Sequence, residues 1–318
     1  MDHRANIQVS DIVTMNPNIS STTNAVLIYH TSTTVPLQDY DVVIIFGGLL
    51  LGLQVQSIVA ATNKTLIHVP QETVLATCSN STSAIVPSTF LHTANTLYFP
   101  NIAQNVLVVF GGVTALFPGL PFVSQLADGF ITSNQMFSLI PALCLWQSIS
   151  SSSPWPSPRA GHASAVFNNT LYIHGGCSVV LLDVMFGPVL NTVNTGQPVT
   201  PLCAVEPLAD LWAFSPSTIS WTQLQPQPSP VSGWPAPRWL HSMFAFDSQL
   251  TVVGGFGLLV NSTYGLLTQP PTGDVWSLSL PGMTWANRSV LPFPQNGVSR
   301  LVCVYGVCVL CVCVCVCL

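Results

Sequence analysis

Two arginine–histidine pairs carry the residue types best suited to chemistry in this chain. Arg159 stands three residues before His162, and Arg238 three before His241. A guanidinium beside an imidazole invites a catalytic reading, with the ring moving a proton. Asp210 follows the first pair and Asp274 the second, each a lone carboxylate. Glycine pairs close four apolar runs, at Gly47-Gly48, Gly111-Gly112, Gly175-Gly176 and Gly254-Gly255. Glycines after an apolar run raise the question of phosphate binding. The details argue against each activity. No Lys-Ser or Lys-Thr follows a glycine pair and no helix is expected after one, so these are not phosphate loops. Gly-x-Ser-x-Gly and His-Glu-x-x-His are absent. A single carboxylate gives no general acid/base pair, so Asp210 and Asp274 are expected to tie down turns.

The same residues recur in register, and that recurrence speaks for structure. Trp155-Pro156-Ser157-Pro158-Arg159-Ala160-Gly161-His162 returns as Trp234-Pro235-Ala236-Pro237-Arg238-Trp239-Leu240-His241. Each copy leads to an apolar run ending in Gly-Gly, then to Asp210-Leu211-Trp212 or Asp274-Val275-Trp276, then to Trp221 or Trp285. His162 precedes Gly175 by thirteen residues, as His241 precedes Gly254, and each tryptophan pair is nine apart. Phe137 and Trp146 repeat that spacing of nine upstream. Fixed spacings separated by gaps of variable length are what strands joined by tolerant loops produce. The apolar runs are short, β-branched and bounded by turn residues, which predicts strands. Several, such as Val106 to Phe110, are apolar on both faces, as in sheets stacked front and back. A radial array of small sheets meets that demand and leaves only short protected edges.

These residues resemble the kelch repeat, a unit of about 50 residues forming one four-stranded blade of a β-propeller. The resemblance is strongest over 155–285, fair over 90–146, and carried by the Gly-Gly strand alone over 29–69. It implies an all-β propeller of antiparallel blades with strands a to d: about four recognisable blades, plus partial blades at both ends. Gly-Gly closes strand b, Asp-x-Trp lies on c, and the last tryptophan starts d. Ser10-Asp11-Ile12-Val13-Thr14-Met15-Asn16-Pro17 echoes the c strand at Asp210, so the sequence is expected to open halfway through a blade. Pro292-Phe293-Pro294 and Arg300 look like the opening of a further blade. A valine–cysteine run stands where its Gly-Gly strand belongs, so an incomplete ring is expected. The propeller is assigned to residues 1–300 and a low-complexity tail to 301–318. Within the blades, Gly47, Gly48, Gly111, Gly112, Arg159, His162, Gly175, Gly176, Asp210, Trp212, Trp221, Arg238, His241, Gly254, Gly255, Asp274, Trp276 and Trp285 are read as structural positions. Arginine and histidine are expected to hydrogen-bond between strands or blades, glycines to let backbones approach, and tryptophans to wedge blades apart.

Variation concentrates in the long b–c connections 113–133, 177–209 and 256–273, and in the Pro/Ser-rich d–a connections. Strands alternate direction, so both sets share one face, the expected site for a protein partner or a glycan. The resemblance also leaves an enzymatic alternative, since copper radical oxidases carry kelch-type blades. Their chemistry needs two His, two Tyr and a Cys cross-linked to one Tyr, and no pattern marks such a set here. A fragment of a larger multidomain protein is the remaining alternative. No catalytic residue, cofactor or metal is assigned.

Composition narrows the partners further. Only 5% of residues are charged, Lys and Arg number six, and the formal net charge is -5. That excludes a nucleic-acid footprint and disfavours a polybasic membrane patch. With 49% hydrophobic residues the chain can build a large core and is not of a disordered type. The start, Met1 to Gln8, is polar and reads as no secretory signal. Six Asn-x-Ser/Thr sequons, at Asn18, Asn63, Asn80, Asn168, Asn261 and Asn287, slightly exceed chance and weakly favour a lumenal or extracellular setting. Of ten cysteines, six fall in the last sixteen residues. Cys78, Cys144, Cys177 and Cys203 show no zinc spacing. Cys177 and Cys203 flank one long connection and could staple it, but buried free thiols are the expected state. The tail, Leu301 to Leu318, is uncharged and ends in alternating Val and Cys, as a translated GTG/TGT repeat would. Its length also meets the lower limit for a membrane anchor, the one route to a membrane that the sequence offers.

Overall fold

The computed structural model describes residues 25–28, 31–37, 41–52, 58–61, 65–68, 75–77, 89–115, 130–151, 154–182, 201–203, 205–225, 233–258, 260–261, 267–268 and 272–290. In chain order the first unit contains β1 (Ala25–Ile28), β2 (Thr31–Pro36), β3 (Asp41–Phe46), β4 (Leu49–Gly52), β5 (Ile58–Ala61), β6 (Thr65–His68) and β7 (Leu75–Thr77). The second contains β8 (Thr89–Phe90), β9 (Thr93–Phe99), β10 (Gln104–Phe110), β11 (Val113–Ala115), β12 (Phe130–Thr132), β13 (Met136–Ile140) and β14 (Leu145–Ile149). The third contains β15 (Ala163–Phe167), β16 (Thr170–Gly176), β17 (Val180–Leu182), β18 (Pro201–Cys203), β19 (Leu208–Ser215) and β20 (Ser220–Gln225). The fourth contains β21 (Ser242–Phe246), β22 (Gln249–Val253), β23 (Val260–Asn261), β24 (Leu267–Thr268), β25 (Asp274–Ser279) and β26 (Thr284–Val290).

Four antiparallel four-stranded sheets result: β2-β3-β6-β7, β9-β10-β13-β14, β15-β16-β19-β20 and β21-β22-β25-β26. Each is a blade whose strands a to d lie in chain order. The first is complete, although only its Gly-Gly strand was legible in sequence. Among the described residues there is no α-helix. The final tryptophan starts strand d in three blades, pairing with the c strand as Leu139↔Trp146, Phe214↔Trp221 and Leu278↔Trp285.

The blades stack because their b strands are apolar on both sides. Leu107 and Val109 of β10 pack toward the first blade, with Val42, Ile44, Phe46 and Trp146. Val106, Val108 and Phe110 of the same strand pack toward the third, with Leu171, Ile173 and Trp221. Leu211, Leu250, Val252 and Leu278 fill the last seam. Strand β9 meets β2 on one side and β15 on the other, and β15 meets β21. The blades therefore follow one another in an arc, and the ring is not closed.

The b–c connections, expected as loops, are paired ribbons in their described parts. Strand β4 pairs with β5, β11 with β12, β17 with β18 and β23 with β24. The incoming d–a segment joins the same ribbons. It contributes β1 beside β4, β8 beside β11, and single bridges Ala160↔Cys177 and Trp239↔Phe256. Continuing a strand past Gly-Gly satisfies backbone groups that a loop would leave open. Cys177 and Cys203, expected as free thiols, are joined in a disulfide with Cα atoms 5.7 Å apart. The pairing of β17 with β18 brings them together, since Cys203 lies opposite Val180, three residues beyond Cys177. Cys144 is also disulfide-bonded.

Candidate functional site

Arg159 and Arg238 lie at the mouths of the third and fourth blades, each fully buried. Arg159 uses all five of its N–H bonds. Nη1 donates to Asp210 Oδ1 at 2.7 Å and Nη2 to Oδ2 at 2.8 Å, a bidentate pair. Nη1 also donates to the Gly175 carbonyl, Nε to the Ser157 carbonyl and Nη2 to Ser157 Oγ, each at 3.1 Å. One side chain therefore staples the entrance of strand a, the end of b and the start of c. The Trp212 indole completes the cluster, donating to Asp210 Oδ2 at 2.7 Å. Arg238 repeats this arrangement on Asp274, the Gly254 carbonyl and the Ala236 carbonyl, with Trp276 on Asp274. Burial pushes both carboxyls up, but the arginine hydrogen bonds and charge, with the indole, hold them below the ordinary carboxylate range. These aspartates accept an arginine fork, where the sequence suggested that they tie down turns.

The sequence holds a signal for this pairing in the second blade. There Thr89, Gln135 and Phe137 occupy the Arg, Asp and Trp positions. All three members are exchanged together, as a buried ionic cluster requires. Thr89 Oγ1 takes over one bond, donating to the Gly111 carbonyl at 3.4 Å.

The histidines sit between blades. His92 Nε2 lies 2.9 Å from Thr31 Oγ1, and His162 Nε2 2.8 Å from Thr93 Oγ1, each reaching the first strand of the preceding blade. Their rings meet Phe46 and Phe110 edge-on, at centroid distances of 5.2 and 5.4 Å. In the third blade the threonine position is Ala163 and the phenylalanine position is His174. His241 Nε2 accordingly meets His174 Nδ1 at 3.0 Å, the rings packing edge-on. Thr with Phe has become Ala with His, which keeps one hydrogen bond and one ring contact across each seam. Burial drives His162 and His241 well below the ordinary histidine range, with neighbouring charges of Arg159 and Arg238 acting in the same sense. His174 is lowered to about 3, by burial first and then by Arg238. All three rings are neutral at physiological pH.

Backbone links run beside these rings. Gly161 N donates to the Leu91 carbonyl at 2.8 Å, and Leu240 N to the Gly161 carbonyl at 2.7 Å. All three residues are left-handed, with φ of 56°, 60° and 51°. Only Gly161 lacks the Cβ that this conformation disfavours, so the two leucines mask the pattern in sequence.

The first glycine of each of the first three pairs supports the seam by proximity. A Cβ on Gly175, where φ is +64°, would lie 2.5 Å from the Arg238 carbonyl and 2.9 Å from the His241 ring. Gly111 faces the Arg159 carbonyl and His162 in the same way. Gly175→Ala is therefore expected to lower stability by at least about 2 kcal/mol. Gly273→Ala, where nothing lies within 4 Å, serves as the control. Thermal unfolding of the two variants checks this, and equal midpoints would refute close approach as the reason for the glycine.

The connection face carries exposed apolar side chains from three successive blades: Ile131 on β12, Val179 and Val205 around the disulfide, and Leu258 after β22. The opposite face, made of a–b and c–d hairpins, exposes Tyr98, Ile102, Leu143, Phe246 and Met283. Of the sequons, Asn168 is exposed at the β15–β16 hairpin, Asn287 is exposed on β26, and Asn261 lies on β23. Asn18, Asn63 and Asn80 fall outside the described residues, as do the partial blades and the valine–cysteine tail. No helix among the described residues is long and apolar enough to cross a membrane. No group of three or more His, Cys, Asp and Glu among them could hold a metal ion.

Residues 29–255 match the family described as the KLHDC2/KLHL20/DRC7 Kelch-repeats domain. No curated protein matches the chain. Among solved structures, one described as "Structure of YjhT" is similar at 15% identity and a TM-score of 0.48, covering 84% of this chain and 67% of that one.

Proposed function

The chain belongs to the KLHDC2/KLHL20/DRC7 Kelch-repeats domain family, and from that membership we propose a non-catalytic protein-interaction module that binds its partner on the connection face. The observation that carries the choice of face is the set of exposed apolar residues Ile131, Val179, Val205 and Leu258 in successive b–c connections. Apolar side chains on a rigid scaffold can anchor a partner at little ordering cost. The Cys177–Cys203 disulfide closes the base of the longest connection and stiffens its two exposed valines. The repeat residues are spent on the fold: arginines on aspartates, histidines on the preceding blade, glycines on the next. The enzymatic reading draws on no specific observation. The described tyrosines are apart in role, Tyr98 exposed on β9 and Tyr172 packed in the last seam.

The test is quantitative capture of cellular proteins by three forms: wild type, Val179→Glu/Val205→Glu, and Tyr98→Glu/Phe246→Glu. Proteins held by wild type are expected to be lost at least tenfold by the first variant and kept by the second. Loss confined to the second variant would move the site to the hairpin face. Equal capture by all three would remove the proposed face.

A further inference from the structure

We propose that this chain matures in an oxidising secretory lumen and carries an N-linked glycan at Asn168, on the face opposite the proposed partner site. Two independent features of the folded body meet in this inference. The first is cysteine pairing. Cys177 and Cys203 form a disulfide that no exposed surface reaches, each cysteine being fully buried, and Cys144 is disulfide-bonded as well. Structural disulfides persist in oxidising compartments and are rare where thiols are kept reduced. Pairing removes two protons and two electrons from the thiols, which pass to a lumenal disulfide donor by thiol–disulfide exchange.

The second is the placement of the sequon. Asn168-Asn169-Thr170 forms the tip of the β15–β16 hairpin, and both asparagines are left-handed, with φ of 47° and 56°. The two side chains have separate tasks. Asn169 turns onto the second blade, where Nδ2 donates to the Tyr98 carbonyl at 2.7 Å and Oδ1 accepts from Tyr98 N at 2.8 Å. Asn168 is exposed. A glycan there displaces no contact, whereas one on Asn169 would break two inter-blade bonds. In the transfer, Asn168 Nδ2 forms a bond to the anomeric carbon of a lipid-diphosphate oligosaccharide. The carbon–oxygen bond to the diphosphate breaks, the diphosphate leaves with the electron pair, and the amide gives up one proton. A glycan at this tip would cover the hairpin face around Tyr98 and leave the ribbons of the connection face open. The folded body, rather than the polar start of the chain, supports this proposal.

The experiment is mass spectrometry of the full chain isolated from its own cells with thiols trapped in denaturant, with and without peptide N-glycosidase in heavy-oxygen water. The expected result is conversion of Asn168 to heavy-oxygen Asp, with Cys177 and Cys203 unlabelled by the trap. Thr170→Val removes the acceptor hydroxyl while leaving both turn asparagines in place, and should abolish the modification without changing the melting temperature. Asn168→Gln should do the same to the glycan, but it also alters a left-handed position, so Thr170→Val is the cleaner variant. An unmodified Asn168 overturns the glycan site. Trapped, reduced Cys177 and Cys203 overturn the compartment.

Discussion

Asp210→Ala is expected to destabilise the chain by about 3–5 kcal/mol, the typical cost of leaving one member of a buried ion pair without its partner. Arg159 is fully buried, and the Asp210 side chain is only 6% exposed, so water cannot replace the missing carboxylate. The loss also strands the Trp212 indole and two guanidinium N–H groups that the aspartate now accepts. Asp274→Ala should cost less. Its carboxylate is 24% exposed, and Thr272 Oγ1 already shares the Arg238 Nη1 donor at 3.3 Å. Equilibrium urea unfolding of the two variants gives both numbers. A difference in the reverse order would mean that burial does not set the strength of these pairs.

Acid should unfold this protein steeply, beginning near the pH at which free histidine titrates. His162, His174 and His241 are all lowered by burial, so the unfolded chain binds protons that the folded chain refuses. Stability from such groups is complete above the unfolded value, near 6.5, and is lost as pH falls below it. Each neutral buried ring contributes a slope of about 1.4 kcal/mol per pH unit, so three give about 4. For His174, with a folded value of about 3, the loss continues down to that pH. Domains hold roughly 5–15 kcal/mol in all, so the effect is large enough to unfold the array. The double variant Ala163→Thr/His174→Phe rebuilds the third blade on the pattern of the first two, Thr31 with Phe46 and Thr93 with Phe110. It should keep the seam through a Thr–His bond and reduce the acid slope by about one third. An unchanged slope would show that His174 is not a source of the acid sensitivity.

The parts of the fold that were legible in sequence are those in which one residue type can do one job. Glycine pairs at Gly111 and Gly175 are conspicuous because no Cβ fits against the next blade's backbone. Tryptophans at the start of strand d are conspicuous because a wide wedge between blades needs a wide side chain. Partnerships across sequence were harder to read. Arg159 and Asp210 are fifty-one residues apart, and their link is visible only through the joint exchange to Thr89, Gln135 and Phe137. The His174–His241 contact hid for a similar reason, since it replaces a Thr–Phe pair with an Ala–His pair and preserves neither residue. Of the first blade only the Gly-Gly strand stands out in the sequence, because no Arg–Asp pair marks its mouth. The ribbons of the connection face look like loops in sequence because strand pairing there relies on backbone groups, which leave little trace in side-chain pattern. The sequence separates, in this way, the positions that hold blades from those free to vary, and the proposed partner face lies among the latter.

The central claim is that the recurring Arg, Asp and Trp form one interchangeable structural cluster. The most direct test transplants the second blade's set into the third as Arg159→Thr/Asp210→Gln/Trp212→Phe, and measures its urea midpoint beside that of Asp210→Gln alone. The account predicts that the triple variant is more stable than the single one, because no buried charge is left without a partner. A triple variant less stable than the single one would contradict it.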